Sequence, residues 1–459
     1  MKILFALTVL VAGVSPTLAQ KPKAKTTPAT AALLSGLYEG NLLIPGGAQL
    51  HLVLHFDGKG AGTMDSPEQG ARGMPLAKAS LAKGIVTFTS VTPPFSFSGK
   101  RSADGQSIKG TFTQNGLAME LNLKKVAQAT VLRRPQTPKP PFPYKTVEVS
   151  FSNPAEAGVT LGGTLSVPPG TGPFPCVVFI TGSGQQDRDE TIFAHKPFAV
   201  IADDLARRGI ASLRCDDRMV GKSKGDVMKA TSANFATDIE AAVAFLKTRP
   251  EVDKAKIGLI GHSEGGMIAP MVAAKPENGI AFIVLLAGTG VPGDQILLAQ
   301  AALILKAQGA SEASIASNRA LQEKLLTLAK TESDPKKARE KAASLGITDL
   351  AQVNLITLPW MRYFIGYDPA PTLAKVTCPV LALNGSKDLQ VPPQQNLPVI
   401  EKALKDGGNK DVTTLEIPGL NHLFQHAKTG GITEYSEIEE SFSPDALKRI
   451  GEWTVAHTK

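Results

Sequence analysis

Along residues 34–132 the apolar positions recur every second residue. Leu50, Leu52, Leu54 and Phe56 alternate with Gln49, His51, Val53 and His55, and Leu117, Met119, Leu121 and Leu123 repeat the pattern. Successive side chains of a strand point to opposite faces, so this period predicts half-buried antiparallel strands. Glycine turns such as Ala103–Ser107 separate the runs, and the region reads as a small antiparallel all-β domain, either a sandwich or a barrel. Residues 133–144, "RRPQTPKPPFPY", follow as a proline-rich linker, extended and fairly stiff.

From residue 145 to 459 the period changes. A hairpin ("TVEVSF", then "VTLGGTLSVP") leads into "PCVVFITG", after which strands and helices alternate. "PFAVIADDLARR" predicts a helix with Pro197 in its first turn and Gly209 at its end. "ANFATDIEAAVAFLKTR" predicts another, with Phe235, Ile239, Val243 and Leu246 on one face. "KIGLIG" and "AFIVLLAG" are unbroken apolar runs of strand length. Such strands are buried on both faces, which means a mostly parallel sheet covered by helices. The alternation stops at about residues 291–374, in an alanine- and leucine-rich helical stretch, and resumes with "CPVLALNGSKD" and "VTTLEIPG". An insertion after a strand's carboxyl end predicts a helical cap over the sheet crevice, the alternative being a pack of helices at the side of the sheet.

Residues 1–19 have a lysine, an apolar core from Ile3 to Val14, and small residues Thr17 and Ala19 near a cleavage point. This reads as a secretory signal peptide, with an uncleaved anchor as the alternative, and predicts a periplasmic or secreted protein. Residues 20–33 form a flexible basic segment. No later stretch approaches the eighteen or so apolar residues of a membrane span. The net charge of +8 is concentrated in tails and linkers such as Lys21–Lys25, without a basic stripe interleaved with aromatics, so nucleic acid is not an expected partner. The three cysteines, Cys176, Cys215 and Cys378, each sit in or beside an apolar run with no C-x-x-C spacing. They read as buried thiols rather than metal or redox groups.

The candidate chemistry begins at "KIGLIGHSEGGMIAP", residues 256–270. A G-x-S-x-G match alone is weak, with roughly a quarter of a match expected by chance at this glycine and serine content. Here it follows a buried strand and precedes a small-residue helix start, the strand–turn–helix that projects a serine hydroxyl above a sheet. Ser263 is therefore the candidate nucleophile. A serine needs a base and an orienting carboxylate, which follow in the chain order Ser, acid, His. Among the seven histidines only His422, His426 and His457 come late enough. His422 stands in the glycine-bearing loop directly after the last predicted strand and is preferred over His426. Asp388 stands at the carboxyl end of the strand 379–383 and is the candidate acid. The oxyanion donors fall to the backbone N–H groups of Glu264, just after the nucleophile, and Ser183, in the loop "TGSGQQDRDE". In that same loop Asp187, Arg188, Asp189 and Glu190 read as ties to neighbouring segments more than as substrate ligands.

"GSGQQDRDE", "LRCDDRMVGKSKGD", "GHSEGGMIAPM", "PWMRYFIGYDP", "LNGSKDLQVPP" and "PGLNHLF", in this order, resemble the EstD-type carboxylesterases of the α/β-hydrolase superfamily. The similarity covers nearly all of residues 145–455. It implies an α/β-hydrolase fold and hydrolysis of small-molecule carboxylic esters with short acyl chains, through an acyl-enzyme on Ser263 with His422 and Asp388, without metal or cofactor. The chain departs from the pattern where Met219 replaces glycine in "DDRGVGKS" and where Thr181 and Gln185 replace the His and Pro of "HGSGPQDRDE". Two other readings stay open: a peptidase on the same fold, and a binding protein whose β domain captures a glycan, lipid or partner. Oligomeric state is not legible.

Overall fold

The computed structural model describes residues 34–44, 49–67, 71–114, 116–131 and 133–459. The signal peptide and basic segment read from residues 1–33 lie outside the described residues.

The period-two region folds as strands β1 (Ser35–Leu43), β2 (Gln49–Asp57), β3 (Gly62–Ser66), β4 (Ala71–Ala82), β5 (Ile85–Val91), β6 (Pro94–Arg101), β7 (Ser107–Gln114) and β8 (Leu117–Val126). Each pairs with the next in antiparallel register, and β1 also pairs with β8, setting Tyr38 opposite Lys125 and Leu42 opposite Leu121. That last pairing decides between sandwich and barrel: the sheet closes, and no edge strand is left exposed. The inward positions are filled by aromatic rings, with Phe88 and Phe97 stacked at 4.7 Å and Phe95 and Phe112 at 4.8 Å. The barrel's apolar core is continuous with Phe193, Ile304, Leu423, Ile432 and Tyr435 of the following region.

The proline-rich segment is more than a spacer. Arg134 donates to the carbonyl oxygens of Phe193 (3.1 and 2.8 Å) and Ser436 (3.0 Å). Gln136 donates to the Phe442 carbonyl at 2.7 Å and accepts from the amides of Ser441 and Phe442. A planar guanidinium and a primary amide, each able to make several bonds at once, turn the linker into a strap.

Beyond it run β9 (Lys145–Ser152), β10 (Thr160–Val167), β11 (Phe174–Ile180), α1 (Pro197–Arg207), β12 (Ala211–Cys215), α2 (Ser232–Leu246), β13 (Val252–His262), α3 (Glu264–Ala273) and β14 (Phe282–Leu286). The helices α4 (Gly293–Ala307), α5 (Glu312–Thr331), α6 (Pro335–Ser344), α7 (Leu350–Ile356), α8 (Pro359–Gly366) and α9 (Ala370–Leu373) follow, then β15 (Val380–Gly385), α10 (Pro393–Asp406), β16 (Val412–Ile417) and α11 (Pro444–Ala456). The eight strands are ordered β16-β15-β14-β13-β11-β12-β10-β9. From β12 to β16 the pairings are parallel, and β9 and β10 close one edge as an antiparallel hairpin. One face packs on α2, α3 and α10, the other on α1 and α11, which is why β13 and β14 are apolar without alternation.

In α2, Val243 and Leu246 are buried against the sheet, while Phe235 and Ile239 are only partly covered and line a cavity. The helices α4–α8 form an apolar cluster with Met267 at the start of α3 and Val391 in the loop after β15, while Leu373 of α9 packs with the sheet and α10. Trp360 of α8 donates its indole N–H to the Glu264 carboxylate at 2.7 Å, one residue from the elbow.

Candidate active site

Between β13 and α3 the chain reverses on a single residue. Ser263 has φ +55° and ψ −115°, a conformation that costs about 1–3 kcal/mol for a side chain with a Cβ. Its amide donates to Leu286 O at the end of β14 (2.8 Å), and its carbonyl accepts from Gly266 (2.9 Å). The flanking glycines are a packing requirement. A Cβ on Gly265 would lie 2.1 Å from Ile180 O, and one on Gly261 would lie 2.1 Å from Gly265 O. The crossing of β11 and the helix start thus admits no side chain, and the serine is held at the tip.

Asp388 lies in the loop after β15, buried, with Oδ1 accepting from the amides of Gln390 and Val391 at 2.8 Å each. Its Oδ2 accepts from His422 Nδ1 at 2.8 Å. That bond places the imidazole proton on Nδ1 and leaves Nε2 as the base nitrogen. Ser263 and His422 line one cleft of about 60 Å³, with Gly182, Ser183, Phe193 and Tyr435 among its walls. The other late histidines are elsewhere: His426 is exposed and bonded to Glu440, and His457 stacks on Trp453.

The loop after β11 presses on the nucleophile. A Cβ on Gly182 would sit 3.3 Å from Ser263 Cβ, and Ser183 is buried beside it. The amide of Glu264 is the first of α3, where helix geometry leaves an N–H without an intrahelical acceptor. Ser183 thus lines the same cleft as Ser263, and Glu264 directly follows Ser263 at the start of α3.

His262, not singled out in the sequence, and Glu190, read there as a tie to neighbouring segments, hold this arrangement. His262 Nδ1 lies 2.9 Å from Glu190 Oε1, and His262 Nε2 lies 2.9 Å from His422 O. The carbonyl accepts and the Glu190 oxygen already accepts from an amide, so a doubly protonated imidazole satisfies both contacts. Burial opposes this charge, but the facing Glu190 carboxylate, its hydrogen bond and the His422 carbonyl together raise the His262 pKa above its ordinary value. Glu190 Oε1 accepts in addition from the amide of Gly182 at 2.7 Å. A buried ion pair thereby joins the oxyanion loop to the backbone of the candidate base.

The neighbours of Glu190 fit the reading as ties. Arg188 pairs with Asp216 (2.7 Å) and Glu148 (2.8 Å), and Asp189 pairs with Lys196 (3.0 Å) and Arg214. Glu190 departs from that reading, because its partners belong to the site. His262 carried a signal inside the motif itself: a histidine ending the buried run from Ile257 needs polar partners.

Departures from the family pattern have local consequences. Thr181 Oγ1 donates to Asp217 Oδ1 at 2.8 Å, and the Gln186 amide donates to Asp217 Oδ2 at 2.7 Å. Burial pushes the Asp217 carboxyl well up, as it does Glu264, which accepts from Ser232 Oγ (2.6 Å) as well as Trp360. Met219 takes the left-handed φ of +64° that the glycine of the pattern would adopt freely. Burial likewise raises the three thiols: Cys176 and Cys215 are pushed far up and Cys378 to about 12, which leaves them poor nucleophiles. Among the described residues no cluster of His, Cys, Asp or Glu is arranged to hold a metal ion.

A parallel sheet flanked by helices, a serine turn after its central strand and a helical cap after β14 make the second unit an α/β-hydrolase. Residues 195–428, just over half of the chain, match the family described as serine aminopeptidase, S33, and the chain belongs to that family. It is 29% identical over 268 residues to Esterase EstD of Thermotoga maritima, covering 57% of this chain and 58% of that protein. It is 31% identical over 134 residues to acyl-coenzyme A thioesterase 1 of Homo sapiens, covering 29% of this chain and 28% of that one. The chain thus matches less than two thirds of the length of either relative. Among solved structures, an esterase from Pyrococcus furiosus aligns with 72% of this chain and 100% of its own, at 17% identity and a TM-score of 0.45.

Proposed function

We propose that the protein is an exported serine hydrolase that cleaves carboxylic esters through an acyl-enzyme. The observation that carries this reading is the His422–Asp388 bond of 2.8 Å in the same cleft as the Ser263 elbow. Ser263 Oγ attacks the ester carbonyl carbon while His422 Nε2 takes its proton. The N–H groups of Ser183 and Glu264 hold the negative oxygen of the tetrahedral intermediate, and Asp388 stabilises the imidazolium. Collapse breaks the bond to the leaving oxygen, which receives the proton from His422 and departs as the alcohol. Water, deprotonated by His422, then attacks the acyl-enzyme, and a second collapse returns the proton to Ser263 Oγ and frees the acid.

The resemblance implies short acyl groups, whereas the cavity of about 340 Å³ lined by Glu264 supports longer ones. Export rests on residues 1–19, and sequencing the mature amino terminus checks it. Turnover of p-nitrophenyl acetate by Ser263→Ala tests the central claim: the expected result is near-background hydrolysis and loss of fluorophosphonate labelling, and full activity would overturn the assignment. The family description favours a second reading, an aminopeptidase. Faster cleavage of amino-acid p-nitroanilides than of p-nitrophenyl acetate would establish it in place of the esterase.

A further inference from the structure

Two hollows share Gly182 as a wall residue. One is the cleft of about 60 Å³ that holds Ser263 and His422. The other, about 340 Å³, lies under the cap and is walled by Leu161 of β10, Phe235 and Ile239 of α2, Ile268 of α3, and Leu358 and Trp360 of the cap. Gly182 lines both, and Glu264, next to the nucleophile, lines the larger.

The charged groups on the wall of the larger cavity are already engaged. Arg218 donates to Asp238 (2.7 and 2.9 Å) and to Glu156 (2.7 Å). Asp217 and Glu264 accept from Thr181, Gln186, Ser232 and Trp360, and burial favours their neutral forms. A ligand carrying a charge would lose its hydration there without gaining a counter-ion, whereas an apolar group would gain by burial.

Stereochemistry says which part of an ester reaches this space. At the tetrahedral carbon one bond goes to Ser263 Oγ, and the oxyanion points at the Ser183 and Glu264 amides. The leaving oxygen must come within reach of His422, on the side of the small cleft. The remaining substituent, the acyl group, is directed away from His422 and past the oxyanion loop.

We propose that the cavity of about 340 Å³ is the acyl subsite and takes uncharged, apolar acyl groups of medium length, an assignment that rests on Ser263 being the acylated nucleophile. A dry cavity of about 150 Å³ accommodates benzene, so this one has room for a chain of about eight to ten carbons. The cleft beside His422 has no such room and receives the alcohol side.

The test is a p-nitrophenyl ester series from acetate to decanoate, run on the full chain and on Ile239→Phe and Leu358→Phe, which fill the cavity from two walls. The expected wild-type kcat/KM is higher for octanoate than for acetate, and each filling variant lowers that ratio by about tenfold or more. Thermal melting shows whether the variants fold. A structure of the wild type inhibited by an octylphosphonate gives an independent readout, with the chain expected between Ile239 and Trp360. An unchanged ratio in folded variants, acetate as the best wild-type substrate, or an octyl chain lying against Phe193 and Tyr435 would overturn the acyl assignment alone, provided that fluorophosphonate labels Ser263. Absence of that label would overturn the nucleophile, and the acyl subsite with it.

Discussion

Glu190 and His262, 72 residues apart in the chain, meet at 2.9 Å beside the turn that carries Ser263. Glu190 holds the Gly182 amide with the same oxygen, so the pair fixes the oxyanion loop relative to His422. Glu190→Gln keeps the size of the side chain and removes its charge. Ester turnover is expected to fall about tenfold to a hundredfold in kcat, with KM changed much less, because positioning rather than binding is lost.

The same pair sets a pH dependence. The pKa of His262 is raised on folding, so its contribution to stability is fully present below its unfolded value of about 6.5 and is lost as pH rises through the folded value. Urea unfolding measured upward from about pH 6 should show this decline in the wild type and a flatter profile in Glu190→Gln.

His195 works in the opposite sense. It is buried, with Nε2 donating to Tyr435 O at 2.8 Å and Nδ1 facing the Ser441 hydroxyl. Burial, and then the nearby Arg134, lower its pKa to about 3. The unfolded chain therefore takes up a proton that the folded chain refuses. Stability is whole above about pH 6.5 and falls as pH drops towards the folded value. His195→Gln should flatten the acid side of the unfolding profile, apart from any uniform loss of stability.

For the candidate orienting acid, Asp388→Asn offers His422 Nδ1 an amide that can donate, which favours the tautomer opposite to the one the proposed mechanism needs. A loss of about 10³- to 10⁴-fold in kcat is expected, as for other triads of this type. His426→Ala, which removes an exposed side chain paired with Glu440, should stay within about twofold of the wild type, measured on p-nitrophenyl acetate in the same buffer.

Met219 gives a prediction about stability alone. A non-glycine residue in the left-handed region costs about 1–2 kcal/mol, and glycine gives back about 0.5–1 kcal/mol of that in chain entropy. Met219 is 63% exposed and loses little packing on truncation. Met219→Gly should leave the protein as stable or up to about 1 kcal/mol more stable by urea unfolding.

What the sequence makes legible follows from what is local. The period-two and unbroken apolar runs identify β2, β13 and β14 because burial on one face or two is written into neighbouring residues. Strand ends then locate Ser263, Asp388 and His422 as candidates. Barrel closure is different: it depends on Leu42 meeting Leu121, a pairing that no local pattern contains. Glu190 is likewise hidden, since its charged neighbours Arg188 and Asp189 pair with other segments and nothing local separates it from them. Phe235 and Ile239 show a third limit. Helical periodicity reports that they face inward but not that the space before them is hollow.

The strap at Arg134 and Gln136 bonds to main-chain atoms of Phe193, Ser436, Ser441 and Phe442. Its anchorage is therefore indifferent to the side chains at those positions. Phe193 on the cleft wall can be exchanged without removing these bonds, so the lining of the cleft can diversify by point substitution on an unchanged frame.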